Sequence, residues 1–363
     1  MNQYHKNIYY CYILIAFLFL TFTTNYLSLY DIIYVANQTD VISYSEIAKT
    51  APNLPNESKV IIQHVAQRFL IHFLVGSLAN FVKVDYFIIY KITTFVFILF
   101  YIFLIIFISK KFEFNLKESI LFFSLLFLNP YIIRHHIFQP TQAHDMLFFC
   151  CGLFFAYSII NKKYVTNMIT TLIAVFLRQT SIAMFLGSSI NLIINKKIKL
   201  LILLVTAYVG FFYLTIHFGK IISINSFPIH LTYKLFFYDF TQVEKLIRFL
   251  LLGIFPFLPL TVLLFGQFNN VKTSTTLTLL LVCAAMIGQP ILGGPDGSVN
   301  NVGRIANLCY PILTMLIFYV FNFKKFVKNN YFFYIFIIGM FFWSLHPTYS
   351  IFDFFGVLRF YNY

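Results

Sequence analysis

The chain has 363 residues, of which 60% are hydrophobic and only 10% charged, with a mean hydropathy of +0.81. A water-soluble domain needs far more charge on its surface, so this composition excludes a soluble enzyme or binding module and indicates a chain solvated by lipid. The net charge of +14 would suggest nucleic acid in a soluble protein, but here its distribution along the chain reads as a membrane-orientation signal.

Residues 8–29 form the first apolar run. It is too long for a signal-peptide core and has no small-residue cleavage site, so an uncleaved first helix is expected. Further apolar segments fall at 86–108, 118–133, 145–160, 165–178, 180–194, 198–218, 248–268, 273–292, 304–322 and 331–346. Together they predict one all-α integral membrane domain over residues 1–363, with about ten or eleven transmembrane helices. The 165–178 and 180–194 pieces are short and read as half-length helices meeting at Arg178-Gln179. Two external loops are expected, at 30–85 and 219–247. Within the first, residues 59–82 carry His64, Gln67, Arg68 and His72 on one helical face, which predicts an amphipathic helix lying flat on the outer surface.

With that helix on the surface, Lys6, Lys110-Lys111, Lys117, Lys162-Lys163, Lys196, Lys197, Lys199, Lys272, Lys324, Lys325 and Lys328 all fall on one side. The positive-inside rule makes that side cytoplasmic, as is the N-terminus, and puts the C-terminus outside a cell (inner) membrane crossed many times. Every arginine falls on the other side: Arg68, Arg134, Arg178, Arg248, Arg304 and Arg359. Lysine suffices for orientation, whereas the planar guanidinium is suited to holding phosphate or carboxylate. An arginine near an apolar helix end is costly, so the outer face is expected to handle an anion.

Three external features could carry chemistry. The loop after the first helix contains Asp31 and then Asp40-Val-Ile-Ser-Tyr44-Ser-Glu46-Ile-Ala48, where Asp40, Tyr44 and Ala48 share one helical face. A carboxylate there could take a proton from an acceptor hydroxyl, or Asp40 could serve only as the N-cap of a helix over 41–49. The second feature is Arg134-His135-His136, followed by His144-Asp145. Metal ligation by these histidines with Asp145 is one reading, and Asp145 as a cap of the next helix is another. The third is Arg178-Gln-Thr-Ser, with a flexible segment ending in Arg304 beside it in the external set. The five cysteines lie in or beside apolar runs without CxxC spacing, so neither disulfides nor a zinc site is expected. No P-loop, dinucleotide glycine motif, HExxH or GxSxG occurs, so no cofactor is expected and an activated substrate would arrive attached to lipid.

This layout resembles the GT-C superfamily of polytopic glycosyltransferases, which use polyprenyl-phosphate sugars. Their first external loop often carries Asp-Glu-x-x-Tyr-x-x-x-Ala. Asp40-x-x-x-Tyr44-x-Glu46-Ile47-Ala48 is similar, particularly to the form in aminoarabinose transferases and protein mannosyltransferases, although Val41 replaces the second acid. The 59–82 helix corresponds to the family's surface helix and Asp145 to its second acidic position. Arg178-Gln-Thr-Ser looks like the Arg-Glu-Thr of related bacterial members, with Gln179 in place of Glu.

The resemblance implies inverting transfer of a sugar from a polyprenyl-phosphate donor to an acceptor at the outer membrane face. Asp40 would be the general base, with Asp145 and Asp31 as the other candidate acids. Arg178, Arg134 and Arg304 would hold the lipid phosphate, Arg68 and His64 would frame its entry, and Tyr44 and Glu46 would complete the substrate site. The partners implied are the lipid-linked donor and the bilayer, with no nucleic acid. A transporter or flippase of a lipid-linked or anionic solute is the alternative from another class. A surface-polysaccharide polymerase or ligase would use the same chemistry as the transferase.

Overall fold

The computed structural model describes residues 3–27, 39–55, 61, 63–223, 253–269, 271–298 and 306–345. They form a helical bundle: α1 (Gln3–Leu27), α2 (Thr39–Thr50), α3 (Gln63–Ala66), α4 (Phe69–Val82), α5 (Tyr86–Lys111), α6 (Leu116–Phe127), α7 (Ile133–Phe138), α8 (Ala143–Ile160), α9 (Tyr164–Val175), α10 (Ser181–Ile194), α11 (Ile198–Ile222), α12 (Thr273–Ser298), α13 (Tyr310–Val320), α14 (Lys324–Lys328) and α15 (Asn330–Ser344). The all-α expectation holds except for one two-residue pairing, in which Gln267 and Phe268 lie antiparallel to Asn322 and Phe321.

Among the described residues, four helical stretches are long and apolar enough to cross a membrane: Gln3–Thr24, Tyr86–Lys111, Pro140–Ile160 and Ile198–Ile222. Six shorter apolar helices accompany them. Of these, α9 and α10 have 12 and 14 residues. At a rise of about 1.5 Å per residue neither can traverse a hydrocarbon layer of about 30 Å, so the expected half-length pair is present. The expected segment 248–268 is different. Its described part is mostly a 3-10 helix, Phe255–Phe265, with Pro259 inside it removing a backbone donor that an α-helix needs.

Sharp turns fix the bundle. Asn115 and Glu118 form a reciprocal capping box at the start of α6, with both hydrogen bonds at 3.0 Å. Asp85 caps α5 by accepting from the Phe87 amide at 2.7 Å. Lys83, Glu113, Lys162 and Lys196 adopt positive φ of 54–56° where α4, α5, α8 and α10 end, which lets the chain reverse within a few residues.

These reversals sort the charges. Lys117 at the start of α6 donates to the Val327 carbonyl at 3.0 Å, beside Lys324, Lys325 and Lys328. Lys162 lies close enough to Lys272 that the neighbouring ammonium lowers the Lys162 pKa. Lys163 and Lys197 lie over the rings of Tyr157 and Tyr164. Helix α1 runs parallel to α6 and α7, with Tyr12 hydrogen-bonded to Ser124 at 2.6 Å and Thr23 to Arg134 at 2.7 Å, so Lys6 belongs to the same end. The described arginines Arg68, Arg134 and Arg178 sit at the other end.

The exterior between the two ends is apolar. Phe95, Leu99 and Phe103 on α5, and Ile202, Val209 and Tyr213 on α11, are exposed, the surface a bilayer solvates. Histidines, carboxylates and amides are instead buried between helices.

Candidate functional site

The polar cluster at the arginine end begins with helix packing. A Cβ on Gly76 would lie 2.0 Å from the Ala48 carbonyl oxygen, so α2 and α4 meet backbone to backbone there. One turn earlier on each helix, Tyr44 stacks on His72 with centroids 3.9 Å apart and planes at 16°. The Tyr44-x-x-x-Ala48 spacing therefore has a packing cause. The tyrosine covers the imidazole and the alanine leaves room for the glycine.

Helix α4 corrects the expectation for 59–82. The polar face is not on a continuous surface helix. The chain breaks at Gln67-Arg68, between the single turn of α3 and the start of α4. Arg68 and His72 are buried, while Leu74, Leu78 and Phe81 are exposed. The polar side faces protein and the apolar side faces outward, the reverse of a helix turned toward water. The side chain of His64 lies outside the described residues.

From the other direction, Asn129 holds the segment before α7 by accepting from the Tyr131 amide at 3.0 Å and donating to Asn307 at 3.1 Å. Thr94 anchors the following turn through the Pro140 carbonyl at 2.9 Å. This placement puts His144 and Asp145 at the buried N-terminus of α8. Both Asp145 oxygens accept from Arg178, through Nε and Nη2. The His144 Nε2 lies 3.1 Å from Asp145 Oδ1 and 3.3 Å from the Tyr44 hydroxyl. Asp145 is not the expected helix cap: Gln142 holds that position, and Asp145 lies within the first turn, where it joins α8 to the α9–α10 turn.

Arg68 completes the cluster. Its Nη1 donates to the Tyr44 hydroxyl at 3.0 Å, and its Nε and Nη2 donate to Gln179 Oε1 at 3.2 and 3.1 Å. Gln179 in turn donates to Gln67 Oε1 at 2.7 Å. His72 Nδ1 and the Tyr90 hydroxyl are 2.7 Å apart, and that hydroxyl donates to the Tyr44 carbonyl at 3.3 Å. With Tyr90 donating there, His72 carries its proton on Nδ1. Among the described residues, His72 Nε2 and His144 Nδ1 are buried with no hydrogen-bond partner, two positions suited to a hydroxyl donor.

Burial pushes the Tyr44 hydroxyl up from its ordinary pKa. The Arg68 charge opposes that, Asp40 adds to it, and Arg178 and Asp145 act more weakly in opposite senses. Tyr44 therefore stays protonated and lies within the electrostatic reach of Asp40, Arg68, Arg178 and Asp145 together. Asp40 is half-buried in the first turn of α2, one turn before Tyr44.

The remaining candidates divide as follows. Glu46 is half-buried and forms no ion pair among the described residues. Arg134 stands apart from the cluster, donating to the Ser344 carbonyl and the Thr23 hydroxyl and tying together the ends of α1, α7 and α15. Asp31 and Arg304 lie outside the described residues. His135 bonds Gln142 at 2.7 Å and His136 faces the Ile132 carbonyl, and among the described residues no three His, Cys, Asp or Glu side chains gather as a ligand set. Sequence reasoning missed Gln179, Gln67 and Tyr90 as members of the network. The signal present was the polar stripe on 59–82, which had a buried destination. No family model, curated protein or solved structure matches the chain.

Proposed function

We propose that the protein is a membrane glycosyltransferase that moves a sugar from a polyprenyl-phosphate donor to an acceptor hydroxyl at the arginine end of the bundle, the outer face of a cell membrane. The supporting observation is the convergence on Tyr44 of one half-buried acid, Asp40, and two buried guanidinium groups, Arg68 and Arg178, at the end opposite the turns that carry Lys117, Lys162 and Lys324. Such a transfer needs a base for the acceptor proton and fixed cations for the phosphate leaving group, whose charge grows as the glycosidic bond breaks. Asp40 is the base in this reading. Asp145 is a positioning residue, because both its oxygens are engaged by Arg178. The bilayer concentrates the donor and delivers it laterally.

The test is release of polyprenyl phosphate from a panel of polyprenyl-phosphate sugars by purified protein in lipid nanodiscs. Wild type is expected to release it and to label an acceptor. No turnover of any donor across hexose, pentose and amino-sugar forms would sink the proposal.

One observation favours the transporter reading. Asn167, Thr171, Ser188 and Asn191 are buried between α9 and α10 on the way from Arg178 to the lysine end, and Thr171 bonds Ser188 at 2.7 Å. Small polar residues are also the ordinary glue of packed membrane helices, which places transport second. Solute flux through reconstituted vesicles, lost in Asn167→Leu, would reverse that order.

A further inference from the structure

The two arginines of the cluster are not equivalent. Arg178 has a carboxylate across from it, doubly hydrogen-bonded. Arg68 is also buried, at 8% exposure, yet its hydrogen-bond partners are an amide oxygen and a hydroxyl. Among the described residues its charge meets no counter-ion. A guanidinium removed from water keeps its full charge, so neutral partners satisfy its donors without balancing its field. An anion would balance it. Arg134 is also buried without a carboxylate, but it is tied to a main-chain carbonyl and lies away from Asp40 and Arg178.

Gln179 decides this difference. Its Oε1 accepts two donors of Arg68, and its amide nitrogen is directed at Gln67 Oε1, 2.7 Å away. A glutamate of the same length would present a carboxylate to the same two donors and neutralise Arg68 as Asp145 neutralises Arg178. We propose that Arg68 is the cation that receives the phosphate of a lipid-borne substrate, and that Gln179 is the specificity-determining residue that orients Arg68 while leaving its charge available. This rests on the donor class proposed above. It assigns the phosphate to Arg68 in preference to Arg178 and makes Gln179 the point at which this chain keeps the Arg68 charge unbalanced, where the similar bacterial sequences carry Glu.

The experiment uses the full chain in nanodiscs with three probes, farnesyl phosphate, farnesol and inorganic phosphate, and reads binding by calorimetry and stability by thermal unfolding. Wild type is expected to bind farnesyl phosphate and not farnesol. Gln179→Glu is expected to weaken that binding by about ten-fold or more, the worth of a charge-assisted contact, with an unchanged or higher unfolding temperature. Gln179→Met, which removes the acceptor that orients Arg68 but adds no charge, is expected to weaken binding less than Gln179→Glu does. Farnesyl phosphate bound by Gln179→Glu as tightly as by wild type would overturn the proposal, as would equal loss in Gln179→Met and Gln179→Glu. Inorganic phosphate binding as well as farnesyl phosphate would overturn the lipid-borne source. Binding that depends on the charge at position 179, in a protein that turns over no sugar donor, would leave this inference standing and remove the transferase.

Discussion

At the scale of single residues, the Asp145–Arg178 pair shows how burial sets the consequence of a substitution. Both side chains are buried, at 0% and 4% exposure. Removing one partner of such a pair strands a charge and typically costs about 3–5 kcal/mol, whereas replacing both by neutral groups costs far less. Asp145→Asn is therefore expected to lower unfolding stability by about that amount, and the double change Asp145→Asn with Arg178→Gln to recover most of it. Unfolding of purified protein in detergent, followed by circular dichroism, would check this. No recovery in the double variant would mean that the pair is not the main cost. Asp40 behaves differently because it is half-buried inside the first turn of a helix that begins at Thr39, where losing its charge costs only the helix-dipole contribution of about 0.3–1 kcal/mol. Asp40→Asn should lower stability by no more than about 1 kcal/mol and cut donor turnover by about 100-fold, the contribution of a positioned base. Full turnover in that variant would leave Asp40 with only a structural role in the first turn of α2, since the helix begins before it and the N-cap position expected for it lies elsewhere.

At the scale of elements, the apolar runs were legible because lipid-facing helices need no partner to reveal their character. The half-length pair at Arg178-Gln179 was legible from length alone. The break at Gln67-Arg68 and the inward turn of the polar stripe were not. A polar face at helical spacing marks contact with something polar, and the sequence does not say whether that is water or buried protein. Arg68 and Gln179 are separated by 111 positions, and no local pattern announces such a pair. The close approach of α2 to α4 depends on Gly76, where a methyl group would fall within 2.0–2.7 Å of Ala48 backbone atoms. Gly76→Ala must push α2 away and carry Asp40 and Tyr44 with it. Displacements of about 1 Å at a reacting group cost about 100-fold in rate. Gly76→Ala is thus expected to lose turnover although Gly76 touches no polar member of the cluster. Unchanged turnover would mean that α2 is not positioned through this contact.

At the scale of the whole molecule, folding turns a linear charge pattern into a dipolar one. Lysines from widely separated segments meet at one end: Lys117 contacts the 327–330 turn and Lys162 lies beside Lys272. The described arginines occupy the other end, each held by hydrogen bonds to protein groups. The two residue types have different tasks here. Lys162 and Lys196, at turns with positive φ, keep their ammonium groups in water, where orientation is read, while arginines near apolar helix ends are costly unless they bind something. The expected arrangement therefore has the lysine end in the cytoplasm. With the exposed Cys11 replaced by serine, Lys111→Cys and Lys162→Cys should resist a membrane-impermeant maleimide added to intact cells. Lys83→Cys, in the exposed turn between α4 and α5 at the arginine end, should react. All three should react once the membrane is permeabilised. Labelling of position 111 or 162 from outside, with position 83 protected, would invert the molecule. It would place Asp40, Arg68 and Arg178 on the cytoplasmic face, where a sugar donor could be a soluble nucleotide sugar instead of a lipid.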